Sequence, residues 1–287
     1  MDSFEAHRPR LLALAYRVMG SYAEAEDVVQ EAHVRWLARD STPLRSDHAW
    51  LEKVVMNLCL DQLKSARVRR EEYVGTWLPE PVLTDGDRLA GAPVDVEAIS
   101  LAFLTLLERL SPLERAAYVL AEAFDYSHEE LAQTLGRDQA AVRQLLHRAR
   151  EHVKGGRPRF APDKSAHEAM VSRFFGAMLQ GDLHDLEQLL AQQVVVRSDG
   201  GGKVKAAINE VAGPNKVARL MLGLTKKMSP TARYELREVN GWPSIIGFEG
   251  QLPISVAQLE TDGVLVYSLS LVNNPDKLRT LIRDVTA

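Results

Sequence analysis

Residues 126–153, YSHEELAQTLGRDQAAVRQLLHRAREHV, leave the chain few options, because they read as two short amphipathic helices hinged at one glycine. Ser127 suits a helix N-cap, and Glu130 three positions on completes a capping box. Leu131, Ala132 and Leu135 form an inner stripe, with Ala132 small where two helices must approach. Gly136 offers the positive φ that a tight turn needs. Val142, Leu145 and Leu146 give the second helix a buried face at helical spacing. Its outer face holds Arg143, Gln144, His147, Arg148 and Arg150, side chains suited to phosphates and to base edges in the major groove. The pattern is that of a DNA-binding helix-turn-helix, at about residues 128–147. It also fits an ordinary helical hairpin with a solvated basic face, and the rest of the chain decides between them.

The 287 residues carry a formal charge of -4, so a nucleic-acid surface must be a local patch. Two such patches are present. Arg137, Arg143, Arg148, Arg150, Lys154, Arg157 and Arg159 face only Asp138 and Glu151 over residues 137–159, and Lys64, Arg67, Arg69 and Arg70 form the other. Cys59 is the single cysteine, which excludes an intrachain disulfide and a cysteine-rich zinc site. It lies in an apolar helical run and reads as a small buried hydrophobe. No metal and no cofactor is expected. No apolar run is long enough to span a bilayer and the N-terminus lacks a signal-peptide pattern, so a cytoplasmic chain without membrane contact is expected.

Composition divides the chain. Residues 1–72 read as helix throughout. Phe4, Leu11, Leu12, Leu14, Ala15 and Val18 form a first stripe, stopped by Gly20. Ser21 and Glu24 open a second helix to about Ala38, and Ser41, Thr42 and Pro43 break it. A third runs from about Asp47 through Trp50, Leu51, Val54, Val55, Leu58 and Leu63, then turns basic. Residues 73–95, with Pro79, Pro81, Pro93, Gly75, Gly86 and Gly91, form an extended linker. Residues 96–155 are helical again, with Ser111, Pro112 and Glu114 as a second capping box and Gly155 and Gly156 as the stop. Pro158 and Pro162 mark another linker. From 165 to 287 the pattern changes to α+β: a helix capped by Ser165 and Glu168, a short helix at 183–190, and strands at 194–197, 233–239, 245–248, 254–259 and 264–272, interrupted by a helix at 215–227. A curved antiparallel sheet closing a cone with an interior pocket is the expected form.

The two helical blocks together resemble an extracytoplasmic-function (ECF) sigma factor of bacterial RNA polymerase. The run Glu26-Asp27-Val28-Val29-Gln30-Glu31 is similar to the acidic helix of sigma region 2 that docks on the polymerase clamp. Trp50-Leu51 through Asn57 and Asp61, followed by Arg67, Arg69 and Arg70, is similar to the segment that reads the −10 element. The helix-turn-helix resembles region 4, which reads the −35 element. The resemblance extends to a subgroup with a C-terminal SnoaL-like domain of the NTF2-like superfamily. It is carried there by Trp77-Leu78-Pro79-Glu80-Pro81, by Asp199-Gly200-Gly201-Gly202-Lys203 and by Asn274-Pro275-Asp276-Lys277-Leu278. It implies a multidomain chain: region 2 at 1–72, region 4 at 96–155, and an α+β regulatory cone at 165–287. It also implies core RNA polymerase (the β′ clamp and β subunits) and promoter DNA as partners, stress-responsive transcription initiation as the role, and control in cis by the third domain.

Within that frame the site residues follow. Glu24, Asp27 and Glu31, with Gln30 beside them, share one helical face. A solvated face and a carboxylate metal site are the other readings of that spacing, and the metal site fails because no Glu-x-x-His accompanies it. Asn57 suits the pairing edge of an unpaired −10 base, while Lys64, Arg67, Arg69 and Arg70 suit the neighbouring phosphates or simply cap a helix end. Arg143, Gln144, His147 and Arg148 share the groove-facing surface. Trp77, ahead of Leu-Pro-Glu-Pro, is costly to leave in water and is expected to dock on the C-terminal domain. The glycine loop at 199–203 lacks phosphate-loop spacing and reads as a turn between strands, with Asp276 and Lys277 near it or near the linker. Asp199, Glu210 and Glu249, with Trp242 as a wall, are the carboxylates a pocket enzyme would need. No histidine–carboxylate spacing supports catalysis, so no catalytic residue is assigned. Three functions stay open: a sigma factor with a regulatory domain that holds at most a small-molecule ligand, a sigma factor fused to an active enzyme, and a helix-turn-helix repressor with a ligand domain.

Overall fold

The computed structural model describes residues 3–40, 44, 46–85, 99–154 and 163–282, with only the backbone of residues 3, 66–69 and 71. Ser41, Thr42, Pro43, Gly86, Gly91, Pro93, Gly155, Gly156, Arg157, Pro158, Arg159 and Pro162 lie outside the described residues, as do the side chains of Arg67 and Arg69. The chain divides into two compact units, and neither is continuous in sequence. One holds Met1–Glu72 and Phe103–Arg157; the other holds Tyr73–Asp85, Ser100–Ala102 and Pro158–Ala287. The expected domains are therefore regrouped: both helical blocks share a unit, and Tyr73–Asp85 of the linker join the C-terminal domain.

The helical unit contains α1 (Ser3–Met19), α2 (Tyr22–Ala38) and α3 (Asp47–Glu71), then α4 (Leu101–Leu107, from Phe103 onward), α5 (Pro112–Phe124), α6 (His128–Leu135) and α7 (Gln139–Lys154). Local chemistry sets the boundaries. Ser21 accepts from the Glu24 amide, and full capping boxes form at Ser111/Glu114 and Ser127/Glu130. Gly136 ends α6 in the left-handed conformation at φ 61°. Asp138 caps α7 through the Ala141 amide at 2.7 Å. Two carboxylates, one buried and one half-buried, tie the first block to the second. Glu52, fully buried, takes Arg10 at 2.8 Å, His48 at 3.0 Å and the Tyr126 hydroxyl. Glu108 takes Arg70 and, at 2.6 Å, Arg115, whose guanidinium also reaches the Val18 carbonyl at 3.0 Å. Arg10 and Arg17 lie over the Phe124 ring at 5.0 and 5.2 Å.

The second unit is a six-stranded sheet ordered β2-β1-β6-β5-β4-β3, carrying α8 (Lys164–Gln180), α9 (Leu183–Gln188) and α10 (Pro214–Thr225). Its strands are β1 (Leu190–Asp199), β2 (Val211–Ala212), β3 (Ala232–Val239), β4 (Trp242–Glu249), β5 (Leu252–Thr261) and β6 (Val266–Val272). The sheet is mixed rather than antiparallel. β3 to β6 form a meander, but β1 runs parallel to β6, because α10 and the whole meander intervene as a crossover. Asp163, not Ser165, caps α8; its carboxylate takes the Ala166 amide at 2.8 Å, and Ser165 lies one residue inside the helix.

Alternation along the strands gives the sheet two apolar faces. One packs on the helices through Met170, Phe174, Met178, Val217, Leu259 and Leu269. The side chains gathered on that side are apolar. The other face packs Val239, Ile246, Val256 and Val272 against Leu78, Leu83 and Leu101. Among the described residues no helix is long and apolar enough to cross a membrane.

His167 on α8 is buried, stacks on Trp242 at 4.9 Å, and its Nε2 has no hydrogen-bond partner. Burial pulls its pKa from 6.5 down to about 4. Between those values the unfolded chain binds a proton that the folded unit refuses, so stability falls with falling pH by about 1.4 kcal/mol per pH unit. Above pH 6.5 this group contributes no slope. Denaturant titrations of wild type and His167→Phe between pH 7 and 4 should show the variant with a shallower slope; parallel curves would refute the assignment.

Candidate functional site

On α2, Asp27, Gln30 and Glu31 are exposed and Glu24 is half-buried. Glu26, Asp27 and Gln30 line a shallow groove of about 360 Å³ with Phe4, Arg8 and His33, while Glu31 is held by Arg35 at 2.9 Å. The face ends in two apolar side chains left in water, Val34 at 56 % and Leu37 at 67 % exposure. An acidic groove running into exposed aliphatic side chains can seat a basic, partly apolar surface.

On α3, Asn57 is exposed, and Lys64 is exposed and paired with Asp61 at 2.9 Å. Arg70 differs from expectation. It is half-buried, spent on Glu108, and donates to the Met19 carbonyl at 2.6 Å.

On α7, Val142, Leu145, Leu146, Ala149 and Val153 are buried, so the opposite face is free. Arg143, Gln144 and His147 are exposed there without a partner among the described residues. Arg148 pairs with Glu114 at 2.8 Å and Arg150 with Glu122 at 2.7 Å. Inside the turn, Thr134 is buried while Ala132 is only half-buried.

The three sequence motifs of the linker and C-terminal domain meet at one buried carboxylate. Asp199, at the end of β1, is fully buried and accepts four hydrogen bonds. Oδ1 takes the Tyr73 hydroxyl at 2.6 Å and the Gly201 amide at 3.1 Å; Oδ2 takes the Leu78 amide at 2.8 Å and Lys277 Nζ at 2.7 Å. The Lys277 ammonium also donates to the Leu78 carbonyl and lies over the rings of Trp77 at 4.0 Å and Tyr73 at 5.0 Å. Burial and the Asp199 charge push the Tyr73 phenol well above its ordinary pKa, so it stays a donor. Asn274 donates to the Tyr73 oxygen at 2.8 Å, and Lys203 pairs with Asp276. Gly201 allows the closure: its φ is +60°, and a Cβ would meet Asn274 Nδ2 at 2.3 Å.

Beyond the carboxylate the linker is built into the sheet. Leu78 and Val82 are fully buried, and Pro79, Glu80 and Pro81 are buried with them. Thr280 donates to the Pro81 carbonyl at 2.7 Å. Val82 exchanges bonds with Asn240, and Leu83 bridges Val239 in antiparallel fashion. Arg237 grips Asp85 with two nitrogens. Leu78, more than Trp77, supplies the buried surface; Trp77 is half-buried beneath Lys277. Glu210 pairs with Arg197 and Glu249 meets Thr231 on the surface, so the carboxylates do not converge as an acid–base pair.

Sigma-70 region 2 matches residues 3–69, and sigma-70 region 4 matches residues 100–153. The chain is 40 % identical over 290 residues to the ECF RNA polymerase sigma factor SigJ of Mycobacterium tuberculosis, covering 96 % of this chain and 92 % of that protein. It belongs to the ECF RNA polymerase sigma factors. The probable ECF sigma factor SigI of the same species is 30 % identical over 287 residues, covering 97 % of this chain and 94 % of that protein. The crystal structure of the M. tuberculosis SigJ sigma factor superposes with a TM-score of 0.76 at 37 % identity, covering 96 % of both chains. This ECF sigma factor is thus a transcription initiation factor rather than an enzyme or a repressor, and its partners are core RNA polymerase and promoter DNA.

One participant escaped the sequence reading of this sigma factor: Tyr73 served there only as the start of the linker. The opposite charges of Asp199 and Lys277 were a visible signal, but their pairing across 78 positions was not. Replacing Asp199 by Ala takes the carboxylate from the half-buried Lys277 ammonium and the acceptor from the buried Leu78 amide, at a cost of about 3 kcal/mol. Asp199→Ala should therefore free the linker, shifting Trp77 fluorescence toward the solvated range and raising protease sensitivity near residues 73–85. An unchanged Trp77 environment would contradict the role given to this node.

Proposed function

We propose that the C-terminal domain governs this sigma factor in cis by shortening the leash between its two DNA readers. The observation that carries the reading is the four-bonded Asp199, which pins Tyr73–Asp85 to the sheet. Elements named −10 and −35 lie about 25 base pairs apart, or about 85 Å along straight duplex. The 27 residues 73–99 between the two readers extend to about 95 Å when free. With 73–85 held, only the 14 residues 86–99 are left to adjust, and release frees all 27.

Around that control the other residues take their parts. Glu24, Asp27, Gln30 and Glu31, continued by Val34 and Leu37, form the face offered to the β′ clamp, and region 4 meets the β subunit. Asn57 and the Lys64–Arg70 cluster serve the −10 strand. Arg143, Gln144, His147 and Arg148 read the −35 groove. The linker's bonds to the sheet support a domain that works by holding the linker. The site of action is the cytoplasm, where polymerase and promoter are.

Run-off transcription with core polymerase tests the control. Full-length Asp199→Ala should initiate several-fold faster than wild type; an equal or lower rate, with Trp77 shown to be released, would overturn the reading. For the reader helix, Arg143→Ala should weaken promoter binding and relax base choice, since a bidentate arginine contact gives about 1–3 kcal/mol of discrimination. Lys154→Ala should weaken all DNA alike. A binding survey over single-base promoter variants showing the reverse would exclude this assignment.

A further inference from the structure

We infer that Gln258 is a second positioning residue of this sigma factor, gripping the first turn of region 4 on the C-terminal sheet independently of the Asp199 node. The inference rests on the cis-control reading above and adds a separate anchor to it.

Region 4 begins at residue 100, yet Ser100–Ala102 belong to the compact unit of the C-terminal domain. The Leu101 side chain is fully buried among Leu78, Leu83, Val239, Ile246 and Val256. Its amide, the first of α4, has no acceptor within its own helix. Gln258 Oε1 accepts it at 2.9 Å in a buried bond across 157 positions. The amide group of Gln258 is fixed for this purpose, because its Nε2 donates to the Val239 carbonyl at 2.8 Å and to Ser244 Oγ at 3.0 Å. With both donors spent on the sheet, the oxygen is left for the incoming chain. A glutamine in mid-strand, 3 % exposed, is costly unless all its polar atoms are met, and the Leu101 amide is what meets the oxygen.

The mechanical consequence is specific. Residues 73–85 and 100–102 are both fixed to the same sheet face, so residues 86–99 join two anchored points. Breaking the Asp199 node lengthens the leash on the region 2 side only. Region 4 stays attached through Leu101 until that anchor also opens.

The test uses full-length chains with core polymerase. Gln258→Leu removes the acceptor. Leu101→Ala empties the socket without touching the sheet, and so keeps the test valid if the glutamine variant folds poorly. Hydrogen exchange of residues 99–104, Trp77 fluorescence and run-off transcription are read together. Both variants should lose protection at 99–104, keep the Trp77 signal, and raise transcription about threefold or more, Gln258→Leu through one lost acceptor and Leu101→Ala through lost side-chain burial. Protection kept in both folded variants, or lost with transcription unchanged, overturns the anchor. If Asp199→Ala accelerates transcription while Leu101→Ala opens 99–104 without effect, the anchor fails and the linker reading stands. If Asp199→Ala frees Trp77 and leaves transcription unchanged, the linker reading is the one that fails.

Discussion

A carboxylate fully removed from water must have its charge matched and its lone pairs filled, or the fold cannot keep it ionised. Asp199 meets both conditions, and three of its four donors come from outside its own loop. Tyr73 and Leu78 arrive from the linker and Lys277 from the C-terminal segment. The node therefore exists only when three distant stretches are assembled together. Lys277 is itself held by two aromatic faces and a carbonyl, so neither partner of the ion pair can move alone. Such a pair contributes little net stability compared with an apolar replacement, but removing one member is costly. That asymmetry suits a fastening that must be specific and must open as a unit.

The linker is also a structural layer. Helices cover one apolar face of the sheet; Leu78, Leu83 and Leu101 cover part of the other. A sheet with two apolar faces needs both covered, and this chain takes the second cover from residues that lie before region 4 and at its start. Cutting the chain between region 4 and the C-terminal domain would consequently strip the sheet and expose Leu78, Val82 and Leu83 at the same time. Point changes at Asp199, Leu101 and Gln258 separate these effects; a truncation does not.

Much of this was legible in the sequence because it is local. Capping boxes at Ser111 and Ser127, the glycine turn at Gly136 and the buried stripe of α7 each depend on residues within a few positions. The glycine loop at 199–203 was correctly read as a turn, and the structure adds that Gly201 is forced by Asn274. What was not legible is long-range. Nothing near Gln258 announces that its oxygen serves an amide 157 positions earlier. The Asp163 cap on α8 is a local exception, reaching the Ala166 amide three residues on, and two cap-forming residues close together left the choice open. The parallel pairing of β1 with β6 is set by where the meander closes, and alternation within a strand carries no information on its neighbour's direction.

Arg70 joins the two helical blocks rather than standing free at a helix end. The resemblance places it beside the −10 phosphates, whereas the structure spends it on Glu108 and on the Met19 carbonyl. One guanidinium cannot serve Glu108 and a phosphate in the same position. Moving Arg70 to DNA would leave Glu108 with Arg115 alone, and moving α5 away would strip Arg115 of the Val18 carbonyl. Glu52 imposes the same condition from the other side, since Tyr126, at the entrance to the helix-turn-helix, is among its donors. Each carboxylate keeps one arginine within its own block when the blocks part: Arg10 for Glu52 and Arg115 for Glu108. Of the arginines on these two carboxylates, Arg70 is the one whose partner lies in the other block, so parting the blocks leaves it without that carboxylate.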